Sequence, residues 1–183
     1  MEHFGNNNPV SLELACGKGE YAIGLAQRFP QYNYIGIDMK GARIWRGAKN
    51  SMEMGLANVA FVRLDIEKIG ECFAENELSE IWITFPDPFP KTFQTKRRLT
   101  SPQFLNLYKN ILKPEGTINL KTDNMGLYDY TLKTLEAEGW KIFDAADDLY
   151  ANPEINEILA IKTTYESRHL KSGAKIKYIK FGY

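Results

Sequence analysis

The 183-residue sequence contains only two cysteines, Cys16 and Cys72, and two histidines, His3 and His169. So few residues, so spaced, give no disulfide framework and no metal-ligand pattern, and they exclude a multi-histidine metal site. Both thiols read as reduced, as in a cytoplasmic protein. No apolar run approaches the ~20 residues that cross a bilayer, and none opens the chain as a signal peptide does. Repeats, low-complexity tracts and interdomain linkers are also missing, so residues 1–183 read as one domain with a sizeable core. The sequence leaves monomer and homodimer open. Net charge is zero, with 23 Lys and Arg against 23 Asp and Glu.

That zero conceals an uneven distribution. Residues 88–114 carry Lys91, Lys96, Arg97, Arg98, Lys109 and Lys113 with no acid. Residues 162–180 carry Lys162, Arg168, Lys171, Lys175, Lys177 and Lys180 against Glu166 alone. A basic stripe binds phosphate whatever the total charge. The plainer reading of each is a solvated face.

Apolar, β-branched and aromatic runs alternate with helical stretches. Strands are expected at residues 10–15, 32–37, 59–64, 81–85, 117–121, 140–145 and 176–181. Helices are expected at 20–29, 41–54, 66–74, from Pro102 behind a Ser101 cap, and at 125–138. Residues 86–100, with three prolines, read as a long loop, and 113–116 as a turn. This alternation predicts an α/β protein, a Rossmann-like, mostly parallel sheet with helices on both faces. Such sheets bind ligands at the carboxyl ends of their strands.

Five acids fall at or just past those ends: Glu13, Asp38, Asp65, Asp87 and Asp123. A single one would read as a turn or helix cap, but five in succession point to a ligand. Gly17 and Gly19 form a turn between the first strand and helix, letting backbone approach that ligand closely. The dinucleotide fingerprint would need glycine where Ala22 stands. A pyrophosphate also avoids an acidic rim. Glu13, Asp38 and Asp65 suit a ligand with a cationic centre, ribose hydroxyls and an adenine amino group. S-adenosyl-L-methionine has all three, with Glu13 near its methionine end, Asp38 on the ribose and Asp65 near the adenine.

The fourth strand runs into Phe85-Pro-Asp-Pro-Phe-Pro-Lys91, in which two prolines fix the backbone around Asp87. A rigid carboxylate-bearing loop at a strand end suits substrate presentation; taken alone it would be a rigid turn. Together with Phe4-Gly-Asn, Leu12-Glu, Gly17-Lys-Gly19, Lys96-Arg-Arg-Leu99, Lys121-Thr-Asp123, Thr163-Thr-Tyr-Glu166, Gly173 and Ile176, this motif resembles the bacterial tRNA (guanine-N7)-methyltransferase family over essentially the whole chain.

The resemblance implies a class I methyltransferase fold and methyl transfer to a variable-loop guanine of tRNA. It implies cofactor contacts from Glu13, Gly17, Gly19, Asp38, Asp65 and Asp87, with Asp87 also the active-site residue. Substrate contacts would come from Lys91, Asp123, Thr163, Thr164, Tyr165 and Glu166, and RNA contacts from Phe93, Gln94, Thr95, Lys96, Arg97 and Arg98. Either Asp87 or Asp123 could read the guanine. The chain departs from the family pattern at Leu14-Ala15, Asp38, Phe89 and Phe93-Gln94, and it starts at Phe-Gly-Asn without the N-terminal arm common in the family. Alternative readings are an N-methyltransferase for protein or small molecules, an NAD-dependent oxidoreductase, and a cofactor-binding RNA-binding protein without catalysis.

Overall fold

The computed structural model describes residues 3–152 and 154–183. Seven strands form one sheet: β1 (Val10–Leu14), β2 (Asn33–Asp38), β3 (Val59–Arg63), β4 (Leu78–Thr84), β5 (Leu112–Thr122), β6 (Lys141–Ala146) and β7 (Lys177–Gly182). Their order is β3-β2-β1-β4-β5-β7-β6. Pairing is parallel from β3 through β5, and β7 is antiparallel to both β5 and β6. The helices are α1 (Glu20–Arg28), α2 (Gly41–Glu53), α3 (Pro102–Ile111), α4 (Met125–Ala137) and α5 (Thr164–Lys171). This is the Rossmann-like, mostly parallel sheet that the alternation of apolar runs predicts.

Strand periodicity sorts the core into two layers. Leu12 and Leu14 of β1, with Ile81 and Ile83 of β4, pack with Leu105 and Tyr108 of α3 and Leu135 of α4. Trp82, on the opposite face of β4, packs with Tyr21 and Leu25 of α1 and with Tyr178 of β7. All five residues of β1 are buried, as a central strand covered on both faces requires. The edge strand β6 is mostly exposed, and its register shifts between Ile142 and Asp144. Such irregularity blunts an open edge.

The structure differs from the sequence reading in several local places, one of them the helix α5, which the sequence reading did not include. Residues 66–74, expected as a helix, form only a 3-10 segment, Ile66–Glu71. The expected loop at 86–100 contains another, Thr92–Arg97. The 113–116 turn lies inside β5: the step from Leu78 to Glu80 faces the longer step from Leu112 to Thr117, so the intervening residues bulge out. Ser101 holds the N-cap position of α3, but its hydroxyl donates to the Lys96 carbonyl instead of capping the helix. Among the described residues no helix is long and apolar enough to cross a membrane.

One buried ion pair joins the sheet to α5. Lys121 on β5 lies 2.8 Å from Glu166, and both side chains are fully buried. The ammonium also donates to the Leu159 and Ile161 carbonyls, at 3.2 Å each. The Tyr150 hydroxyl donates to Glu166 Oε1 at 2.7 Å. Burial pushes the Lys121 pKa down, and Glu166 opposes that shift.

Replacing Lys121 with Met leaves Glu166 buried without its cation. The expected cost is roughly 3–5 kcal/mol, read as a lower midpoint in urea unfolding. The paired change Lys121→Met with Glu166→Leu is expected to lose less, because no uncompensated charge then remains inside.

Candidate active site

The carboxyl end of β1 runs into a turn built from left-handed residues. Ala15 has φ 54°, Gly17 φ 59° and Gly19 φ 65°. A side chain is strained at such angles, which glycine adopts freely. Around Gly17 a Cβ would meet nothing within 4 Å, so the turn opens onto space a ligand can enter. Gly19 is instead the N-cap of α1, packed so closely on the Phe61 ring that a Cβ would collide with it.

Two carboxylates hold this turn. Asp38, at the end of β2, accepts from the Gly17 amide at 2.9 Å and from the Lys40 amide at 2.8 Å. Glu13 lies beneath the turn, 3% exposed. It accepts from the Ala22 amide of α1 at 2.9 Å and from the Thr84 hydroxyl of β4 at 2.8 Å. Burial is the main cause that pushes the Glu13 carboxyl up to about 7, and the bonds from Thr84 and Ala22 pull the other way. Burial, with Glu13 and Asp38 nearby, also pushes the Cys16 thiol up, so this cysteine stays a thiol.

A cleft of about 310 Å³ lies over the turn. Ala15, Cys16, Gly17 and Lys18 form one side, Thr84 and Phe85 of the β4 end another, and Thr163, Thr164, Tyr165 and Arg168 a third; Glu20 and Arg43 complete the rim. Thr163 caps α5 by accepting from the Glu166 amide at 3.1 Å. Thr164 donates from both its amide and its hydroxyl to Glu20, docking α5 against the start of α1.

Beyond Phe85 the proline loop carries Asp87 into solvent. Phe85 and Phe89 have φ 51° and 42°, strained angles for aromatic residues. Strain of this kind clusters at functional sites. Among the described residues, the Asp87 carboxylate accepts only a long 3.5 Å bond from the Phe89 amide. Asp123, at the end of β5, is more committed. Its Oδ2 accepts from the Tyr165 hydroxyl at 3.2 Å and pairs with His169 Nδ1 at 3.0 Å. The Tyr165 ring stacks on His169 with centroids 4.1 Å apart and leans on Phe85 at 5.2 Å.

The structure thus gathers Gly17, Asp38, Thr163, Thr164 and Tyr165 at or beside the cleft, with Asp87 and Asp123 at the neighbouring strand ends. Other expected contacts lie elsewhere. The Glu13 carboxylate is beneath the turn, spent on Ala22 and Thr84. Asp65 accepts from the Glu67 amide at 3.2 Å as the cap of a 3-10 segment, and it does not line the cleft. The Glu166 carboxylate faces Lys121 and Tyr150 inside the protein. Sequence reasoning missed Lys18, Glu20, Arg43, Thr84, Arg168 and His169. For His169 the available signal is its i,i+4 spacing from Tyr165 on one helix, which sets the two rings side by side.

The basic segment also divides. Phe93 is 80% exposed. The Lys91 ammonium stands 5.8 Å from its ring, and the Arg97 guanidinium stands 4.5 Å over Phe89. Gln94, Thr95 and Lys96 share the same 3-10 segment. Arg98, expected to contact RNA, is buried instead. It donates to the Pro88 carbonyl at 3.1 Å and to the Phe89 carbonyl, and it stacks 4.2 Å over Tyr130. It braces the proline loop from behind and is not available to phosphate.

The raised Glu13 pKa fixes a sign. Its folded value of about 7 lies above the ordinary 4.5, so the fold favours the protonated carboxyl. Its contribution to stability is complete below the unfolded value and is lost as pH rises through the folded one. Glu13→Gln mimics the protonated form. Measured by urea unfolding, the variant is expected to gain on wild type between pH 4.5 and 7.5, by on the order of 3 kcal/mol.

A family model described as "Putative methyltransferase" matches residues 7–179. The tRNA (guanine-N(7)-)-methyltransferase of Porphyromonas gingivalis is 51% identical over 182 residues, covering 99% of this chain and 74% of that one. The enzyme of the same name from Christiangramia forsetii is 52% identical over 179 residues, covering 97% and 80%. Among solved structures, the 16S rRNA methyltransferase KamB superposes with a TM-score of 0.75 at 13% identity, over 99% of this chain and 90% of that one. A SAM dependent methyltransferase from Aquifex aeolicus gives 0.64 at 15% identity, over 98% and 85%. Those two likenesses show the fold alone, the Rossmann-like sheet of class I methyltransferases. Identity of about one half over nearly all of the sequence shows more: the chain belongs to the tRNA (guanine-N(7)-)-methyltransferase family.

Proposed function

We infer that this protein methylates N7 of a guanine in tRNA, using S-adenosyl-L-methionine. The observation that carries the reading is that one cleft runs from the open Gly17 turn, which Asp38 holds, to Phe85, the first strained residue of the loop that bears Asp87 two positions on. The cofactor fits what is present. Gly17 leaves room for close approach, and each Asp38 oxygen keeps acceptor capacity beyond its one backbone bond, enough for ribose hydroxyls. The bound cofactor supplies the electrophilic methyl group.

The remaining work falls to the protein's own residues. Guanine N7 has an in-plane lone pair and no proton to lose, so attack needs no general base. Alignment of the purine supplies much of the rate. Phe85 and Tyr165, packed on one another at the cleft, offer apolar surface for it. The purine gains positive charge as the methyl arrives, and a fixed carboxylate nearby stabilises that state. Asp87 suits this role better than Asp123, because Asp123 is already bonded to Tyr165 and His169. A carboxylate there also accepts from the guanine N1–H and amino group, which adenine cannot match. Lys91, Lys96 and Arg97 are exposed beside this loop and hold tRNA phosphates, setting register without reading bases.

The test is transfer of labelled methyl from S-adenosylmethionine to unmodified bulk tRNA, followed by digestion to nucleosides. The label is expected in 7-methylguanosine. Asp87→Ala is expected to slow single-turnover transfer by about 10²-fold or more, with melting temperature and S-adenosylhomocysteine affinity near wild type. A variant transferring methyl at near-normal rate would make Asp87 a turn residue.

A further inference from the structure

The helix after β2 carries a second basic surface that neither charge-rich stretch of the sequence includes. Between Asp38 and Glu53 there is no acid, while Lys40, Arg43, Arg46 and Lys49 supply four cations in a chain of zero net charge. In their midst Trp45 is 59% exposed, an unusual placement for the largest apolar side chain. Both neighbouring cations attend its ring: Arg46 lies 5.7 Å from the centroid and Lys49 5.4 Å. An exposed aromatic face flanked by two cations suits a nucleotide, with a base on the ring and phosphates on the charges.

The inner face of α2 borders the cleft. Arg43 and Lys18 both line the rim. Gly47 sits so close to the glycine turn that a Cβ would stand 2.7 Å from the Lys18 carbonyl oxygen, so α2 is seated directly on the cofactor-side wall. Strand order sets α2, which links β2 to β3, on one side of β1, and the 91–97 segment after β4 on the other. Trp45 and Lys49, each two residues from Gly47 on a helix of 3.6 residues per turn, lie on the outer face of α2, so an RNA whose guanine enters the cleft meets them by passing over that helix.

We propose that Trp45, with Arg46 and Lys49, is a stacking platform for an unpaired nucleotide of the tRNA, on the flank of the cleft opposite the 91–97 segment. This rests on the reading of the protein as a tRNA methyltransferase. The four cations between Asp38 and Glu53, of which Lys49 also pairs with Glu53 at 3.6 Å on the surface, favour a polyanion over a second copy of the chain, although Met52 is also exposed nearby.

The experiment is tRNA binding by the full chain, with methyl transfer measured alongside. Trp45→Ala is expected to weaken tRNA binding about tenfold, Trp45→Phe less, and neither is expected to change S-adenosylhomocysteine affinity. Trp82 and Trp140 are buried, so iodide quenching reports chiefly on Trp45 and is expected to fall when tRNA is added. Arg46→Ala with Lys49→Ala is expected to flatten the salt dependence by about two phosphate contacts' worth. Unchanged tRNA affinity in Trp45→Ala, with methyl transfer intact, overturns the platform and leaves the functional reading standing. The same unchanged affinity, with self-association lost by light scattering, assigns the face to a second copy and overturns the platform too. Wild-type protein that neither binds nor methylates tRNA overturns both.

Discussion

One buried carboxylate couples the elements that build the cleft. Glu13 stands on β1, accepts from an amide of α1 and accepts from a side chain of β4. The glycine turn lies between the first two of these elements, and the proline loop leaves from the third. That bond pair fixes the turn against the end of β4, while Arg98 braces the loop farther along. Desolvation makes the arrangement costly when the group is ionised, which is why its pKa rises despite two good hydrogen bonds. Asp38 adds a second buried tie, from β2 to Gly17 of the same turn.

The acids around the cleft divide by burial into two kinds of work. Glu13 and Glu166 are inside, and every oxygen of theirs has a partner in the protein. They fix the turn and the α5 wall. Asp87 is in solvent on a strained loop, whereas Asp38 is buried at 7% exposed, just behind the cleft lining, with one backbone amide on each oxygen. Asp87 meets a ligand without disturbing any other bond of the site, and Asp38 meets one only with the lone pairs that its two amide bonds leave. Asp123 lies between, held by Tyr165 and His169 but still partly open. The basic segment repeats the pattern: Arg97 faces outward over Phe89, while Arg98 is folded beneath the same loop.

Much of this was legible in the sequence. Strand positions follow from apolar and β-branched runs, the glycine turn from its spacing, and the ligand-binding edge from acids at successive strand ends. What was not legible depends on distant partners. Glu166 reads as a substrate contact until Lys121, 45 residues earlier, is found against it. Lys96, Arg97 and Arg98 look alike in sequence, and only the position of the Pro88 and Phe89 carbonyls distinguishes the brace from the surface pair. Asp65 shows the limit of counting acids, since at that strand end the local cap is what the carboxylate serves. The insertion of β7 between β5 and β6 is likewise a matter of long-range pairing that no local period encodes.

A crystal structure of the protein with S-adenosylhomocysteine decides whether the division of acids holds. The ligand is expected over the Gly17 turn, with its ribose hydroxyls on Asp38, while Glu13 keeps Ala22 and Thr84 and Glu166 keeps Lys121. A ligand bound away from this cleft, or one contacted by a Glu13 or Glu166 carboxylate swung out of its present bonds, would contradict it.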